Sequence, residues 1–89
     1  MDFPHYQIDV AQDSKRLWIN GADGSCIARF DKRFGLDVHR SATAQMQGEP
    51  ECLHCMHGPA GRAEWDIFRA QVLEHYAIDV PADAIDFPI

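Results

Sequence analysis

The stretch RLWINGADGSCIARF (residues 16–30) decides the fold of this chain. Two runs rich in β-forming residues, 16–20 and 25–30, are joined by the segment GADG at 21–24. Apolar runs joined by a short segment containing Gly, Asp and Asn are typical of a β-hairpin. The two glycines of the segment can adopt the positive φ angles that such turns require. The sequence therefore predicts a pair of antiparallel strands in the first half of the chain.

Further extended segments flank this hairpin. In residues 5–11, and again in 36–39, apolar and polar side chains alternate with a period of two, which is typical of a strand with one buried face. Residues 41–47 fit a short helix with Ser41 as its N-cap and Gly48 after its end. The first half of the chain is thus predicted to contain three or four strands.

The clearest helix is predicted over about 62–77, near the C-terminal end of the chain. Large apolar side chains recur there at helical spacing, namely Trp65, Phe68, Val72 and Tyr76. Pro81 prevents the helix from continuing. Residues 84–89 again alternate between apolar and polar, so we expect an extended C-terminal tail that could serve as an edge strand.

Strands followed by one main helix indicate an α+β fold, with an antiparallel sheet packed against the helix. The chain has 89 residues, which is the size of a single domain spanning 1–89. Its hydrophobic fraction of 46% is ordinary for a globular protein and excludes disorder along the whole chain. No window approaches the length of a membrane span, and the first residues lack the pattern of a signal peptide, so we expect a cytoplasmic location and no membrane contact.

The charge of the chain is acidic overall and unevenly distributed. The formal net charge is −6, yet six of the eight Lys and Arg residues fall between residues 15 and 40. The basic stretch around 29–40 would suit an anion, but an acidic chain is a poor candidate for general nucleic-acid binding. We expect a solvated surface on which opposite charges offset one another.

The stretch ECLHCMHG (51–58) is the one part of the sequence whose residue types and spacing indicate a specific kind of site. Its C-x-x-C pair has the spacing that lets two thiolates bind one metal ion from a turn. A tetrahedral zinc site needs four ligands, for which the candidates are Cys52, Cys55, His57 and His39, with Cys26 as an alternative to His39. Glycines and prolines flank the stretch on both sides, so it is predicted to form a loop.

Three other interpretations of this stretch stay open or are disfavoured. Three cysteines, an odd number, make a poor disulfide framework, which favours reduced and buried thiols that behave as small apolar side chains. A redox dithiol is an alternative, although the expected loop context differs from that of thioredoxin-like motifs. Attachment of haem is disfavoured because Met56 stands where C-x-x-C-H requires histidine.

No catalytic constellation is visible, and no cofactor is expected apart from a zinc ion. The first hypothesis is therefore a small non-enzymatic binding or regulatory module that acts through protein–protein contacts, with a homodimer as one alternative. The other hypotheses are a zinc-stabilised interaction module built on Cys52 and Cys55, a dithiol redox protein, and an acidic mimic of nucleic acid that inhibits a nucleic-acid-binding protein.

Overall fold

The sheet of this protein is a five-stranded antiparallel meander, in which each strand pairs with its neighbour in the sequence. The computed structural model describes residues 6–21, 26–40, 48 and 52–87. The strands are β1 (Gln7–Val10), β2 (Arg16–Asn20), β3 (Cys26–Asp31), β4 (Gly35–His39) and β5 (Cys52–His57). The α+β class and the antiparallel sheet are confirmed, whereas the expected count of three or four strands is wrong.

The hairpin predicted over residues 16–30 is confirmed as the pair β2–β3. Leu17 lies opposite Phe30, and Ile19 lies opposite Ala28. All four side chains are buried, because alternate positions on paired strands point to the same face of the sheet. Most of the expected turn lies outside the described residues, and so does the helix predicted over 41–47.

Strand β5 is the element that the sequence did not predict. It contains the Cys/His stretch that we expected to be a loop. Its two apolar residues, Leu53 and Met56, are three positions apart, so the period of two that indicates a strand is missing. A β-bulge explains this spacing: His39 lies opposite Cys52 and Val38 opposite His54, which leaves Leu53 as the extra residue.

The predicted helix is confirmed as α1 (Arg62–Tyr76), which follows β5. At its start the side chain of Glu64 accepts a hydrogen bond from the backbone N–H of Gly61 at 3.0 Å. At its end Ala77 adopts a left-handed conformation, and its backbone N–H donates to the carbonyl of Leu73. None of the helices formed by the described residues is long and apolar enough to cross a membrane.

The core lies between α1 and one face of the sheet, the inner face. An aromatic cluster fills its centre: the ring of Phe30 lies 4.9 Å from that of Trp65 and 5.7 Å from that of Phe68, centroid to centroid. Trp65, Phe68 and Val72 are buried along one side of the helix, as its apolar spacing predicts. Aromatic pairs at these distances add to the stabilisation that burial provides.

The C-terminal tail closes the remaining side of this core. Over residues 84–87 it does not pair as an edge strand, contrary to expectation, and a short 3-10 helix occupies Ala82–Ala84. The indole Nε1 of Trp65 donates to the carbonyl of Ala82 at 3.0 Å, and the backbone N–H of Asp86 donates to the carbonyl of Ser14. The apolar alternation that resembled a strand instead places Ile85 in the core.

Candidate functional site

The face of the sheet opposite α1, which we call the outer face, carries the candidate site. One residue from each strand forms a row across it, running in strand order through Asp9, Trp18, Arg29, Asp37 and Cys55. These residues alternate along their strands with the core residues of the inner face. The row therefore brings charged, aromatic and sulfur-containing side chains together from distant parts of the sequence.

The bulge in β5 places both cysteines on this face. Residues three apart on a regular strand point to opposite faces, so a C-x-x-C pair would be split between the core and the solvent. The extra residue at Leu53 restores the alignment, so that Cys55 lies opposite Asp37 and Cys52 lies opposite His39. The two thiol groups and two potential ligands of β4 consequently share one surface.

Cys52 and Cys55 form a disulfide bond. The expectation of reduced thiols, one or both of them buried, is therefore wrong, since Cys52 is exposed, Cys55 is half-buried and the two are bonded to each other. The physical reason is the bulge, which turns both side chains away from the core and towards each other. Cys26 is exposed and forms no disulfide bond with a described residue, and its thiol donates a hydrogen bond to the carbonyl of Ala28 at 3.4 Å.

Asp37 is the residue of the site that sequence reasoning missed. It is only 6% exposed, and it is the one charged side chain in the buried set of the described residues. The Nε of Arg29 donates to its Oδ2 at 2.7 Å, and the Nε2 of His57 lies 3.4 Å from its Oδ1. The hydrogen bond to Asp37 and the charge of Asp37 raise the pKa of Arg29 above its ordinary value.

The ligand atoms of Asp37, His39 and Cys55 converge. A carboxylate oxygen, a ring nitrogen and the sulfur all lie within 4.8 Å of one another. His57, one of the four candidates from sequence, lies on the same face, but its side chain is 81% exposed and sits beside Asp37. His54 lies opposite Val38 in the row of the inner face.

His39 is held by the end of the helix. The hydroxyl of Tyr76 donates to the backbone carbonyl of His39, and burial raises the pKa of Tyr76. The Nδ1 atom of His39 is buried and has no hydrogen-bond partner among the described residues. Buried polar atoms without a partner are rare in folded proteins because leaving one unpaired is costly.

A shallow cavity of about 250 Å³ opens on the outer face beside this cluster. Its lining residues are Arg29, Asp31, Phe34, Gly35, Asp37 and His57. Phe34, in the turn between β3 and β4, is 71% exposed although its ring is large and apolar. The cavity thus combines an exposed aromatic ring with groups of both charges, next to the disulfide.

No signal in a single sequence assigns Asp37 or Phe34 to a site. Asp37 occupies an ordinary polar position of its strand. Only the pairing of that strand with β5 shows which side chains lie next to Asp37. In comparisons with known proteins, no family model matches this chain, and no curated protein or solved structure is significantly similar to it.

Proposed function

We propose that this protein is a small, non-enzymatic module that binds a protein partner through the outer face of its sheet. The observation that carries this proposal is the cavity beside Phe34, with its mostly exposed aromatic ring. Exposed large aromatic rings beside arginine are typical of the residues that dominate protein interfaces. Its location in the cytoplasm stays a prediction.

The size of the cavity favours a protein over a small substrate. At about 250 Å³ it falls below the roughly 300–1,000 Å³ of pockets that enclose small molecules. A volume of this order suits one side chain projecting from a partner surface.

The charge of the chain favours a partner with a basic surface. The net charge is −6, so long-range attraction would steer a basic protein towards it. Within the cavity a lysine or arginine of the partner would meet the face of the Phe34 ring and the carboxylate of Asp31. Cation–π contacts of this kind contribute about 0.5–2 kcal/mol.

The proposal is tested by comparing two exposed apolar residues. Phe34→Ala should weaken binding by about 2 kcal/mol, roughly 30-fold in Kd, as expected for a residue that contributes a large part of the binding free energy. The matched control is Leu73→Ala, since Leu73 is 53% exposed on α1, away from the sheet. Both variants should fold, because neither removes a core contact.

The measurement begins with quantitative capture by wild-type protein and both variants from one native lysate. The proposal requires a protein retained in stoichiometric amounts by wild type and by Leu73→Ala but lost with Phe34→Ala. Calorimetric titration of that purified partner should then give the affinity loss, together with weaker binding at higher salt. Capture that is equal for all three proteins, or absent for wild type, would refute the proposal.

A further inference from the structure

We infer that the Cys/His end of the outer face is a zinc site in the reduced protein, with Cys52, Cys55, His39 and Asp37 as its four ligands. This site lies beside the partner-binding cavity, and Asp37 and Arg29 border both. The proposal does not depend on partner binding, because zinc binding is measured on the isolated chain. The donor set of two thiolates, one imidazole and one carboxylate matches the ligands that zinc takes in proteins.

The geometry of three ligands is already close to what zinc needs. With bonds of about 2.0–2.3 Å, ligand atoms around a tetrahedral zinc ion stand about 3.3–3.8 Å apart. The ligand atoms of Asp37, His39 and Cys55 lie within 4.8 Å of one another, so small rotations of these side chains suffice. Cys52 provides the fourth, because it lies opposite His39 on the same face and is bonded to Cys55.

The unpaired nitrogen of His39 is a second observation that points to a ligand. Its Nδ1 atom is buried without a hydrogen-bond partner among the described residues. Coordination to a metal ion would give this lone pair a partner and remove the cost of leaving it unpaired. The hydrogen bond from Tyr76 to the backbone carbonyl of His39 holds that strand position in place.

The surrounding charges suit a divalent ion. Two thiolates and the carboxylate of Asp37 exceed the charge of Zn²⁺ by one, and the guanidinium of Arg29 compensates for it. Arg29 donates to Oδ2 of Asp37 at 2.7 Å, so Oδ1 is the ligand atom, and the exposed ring of His57, now 3.4 Å from Oδ1, would move aside. Hydrogen bonds that orient a ligating carboxylate in this way are a regular feature of metal sites.

Zinc binding requires reduction of the disulfide. A dithiol reductant transfers two electrons and two protons to the Cys52–Cys55 bond, which breaks to give two thiols while the reductant becomes a disulfide. Zn²⁺ then forms one bond to each sulfur, and each thiol releases its proton. The oxidised and the zinc-bound protein are therefore alternative states of the same cysteine pair.

The test is a titration of the whole chain, reduced and freed of metal with a chelator, with Zn²⁺ and separately with Co²⁺ as a spectroscopic probe. We expect one ion per chain, with thiolate-to-cobalt charge transfer and the visible bands of tetrahedral Co²⁺. The oxidised protein should bind neither ion. Less than a tenth of an equivalent bound to reduced wild type would overturn the proposal.

Variants identify the ligands. Cys55→Ser should lower zinc affinity by more than the roughly 10- to 100-fold that outer-shell partners cost, and Asp37→Asn by at least about tenfold. Cys26→Ser and His75→Gln are the controls and should leave affinity unchanged. Unchanged affinity in Asp37→Asn, combined with loss in His57→Gln, would overturn the ligand set.

A measurement on wild type avoids the risk that a variant fails to fold. Nuclear magnetic resonance of the histidine rings should show one equivalent of Zn²⁺ shifting the ring nitrogens of His39. The ring of His54, which lies on the inner face, should keep its signals. Ring signals of His39 that stay unchanged while zinc binds would contradict the assignment.

Discussion

The β2–β3 and β4–β5 pairs belong to one sheet, and each contains an irregularity, yet the two extra residues are buried to different extents. In β2–β3 the break lies between Ile19 and Asn20, and Ile27, the residue left over on β3, is buried. In β4–β5 the extra residue, Leu53, is only half-buried and separates two polar positions. Burial of apolar side chains therefore acts on both strands of the first pair, whereas in the second pair it acts mainly on β4, where Leu36 and Val38 are buried.

Phe30→Ala in the first pair should have the largest effect on stability. The ring of Phe30 contacts those of Trp65 and Phe68, so its removal leaves a cavity in the centre of the core. We expect the free energy of unfolding to fall by about 3–5 kcal/mol. Urea unfolding followed by tryptophan fluorescence measures this loss. Phe34→Ala, in the turn that follows β3, is the control and should change stability by no more than about 0.5 kcal/mol.

Gly35→Ala should be the most damaging change in the second pair. Gly35 has a φ of +111°, and a Cβ placed there would collide with the backbone carbonyl of Met56 on β5. Strain and collision together should cost about 2–3 kcal/mol in the free energy of unfolding. Because the collision lies between the strands, β5 should also lose hydrogen-exchange protection before β2 and β3 do.

Gly58→Ala separates these two causes. Gly58 has a similar φ of +115°, but among the described residues no heavy atom other than those of Gly58 and its two chain neighbours lies within 4 Å of a Cβ built there. Only conformational strain should remain, at a cost of about 1–2 kcal/mol in the free energy of unfolding. Equal losses in the two variants would show that the close approach of β4 and β5 at Gly35 does not contribute.

Tyr76→Phe should give the smallest effect and sharpen the comparison by testing how α1 supports the end of β4. Loss of the hydrogen bond to the carbonyl of His39 should cost about 1 kcal/mol at pH 7. Burial raises the pKa of Tyr76 above 10.0, so the folded protein favours the protonated phenol. That stabilisation is complete below pH 10.0 and is lost as the pH rises through the raised pKa.

The difference in unfolding free energy between wild type and Tyr76→Phe should therefore shrink above about pH 10. Chemical unfolding of both proteins at neutral pH and again near pH 11 measures it. A difference that stays constant or grows over this range would contradict the assigned role of Tyr76.

The two regions also differ in how far their sequence predicts them. Helix α1 follows a period of about 3.6 because one of its faces is buried against the core. The hairpin is indicated by two β-forming runs and the turn segment between them, although the extra residue Ile27 interrupts its period of two. Strand β5 breaks the period at Leu53, and its Cys/His content resembles a loop that binds metal. The ligand candidates Cys52, Cys55, His57 and His39 all lie on the outer face. Asp37, which converges with His39 and Cys55, depends on a register that no local pattern encodes.

The bulge in β5 also bears on self-association. Among the described strands, β5 stands at one edge of the sheet, where a second chain could add a strand. If a strand from a second chain paired in register with Cys52, its register would shift by one residue beyond Leu53. Beyond that point its apolar side chains would lie on the face where its polar side chains should be. The same extra residue that aligns the two sulfurs thus discourages growth of the sheet from one molecule into the next.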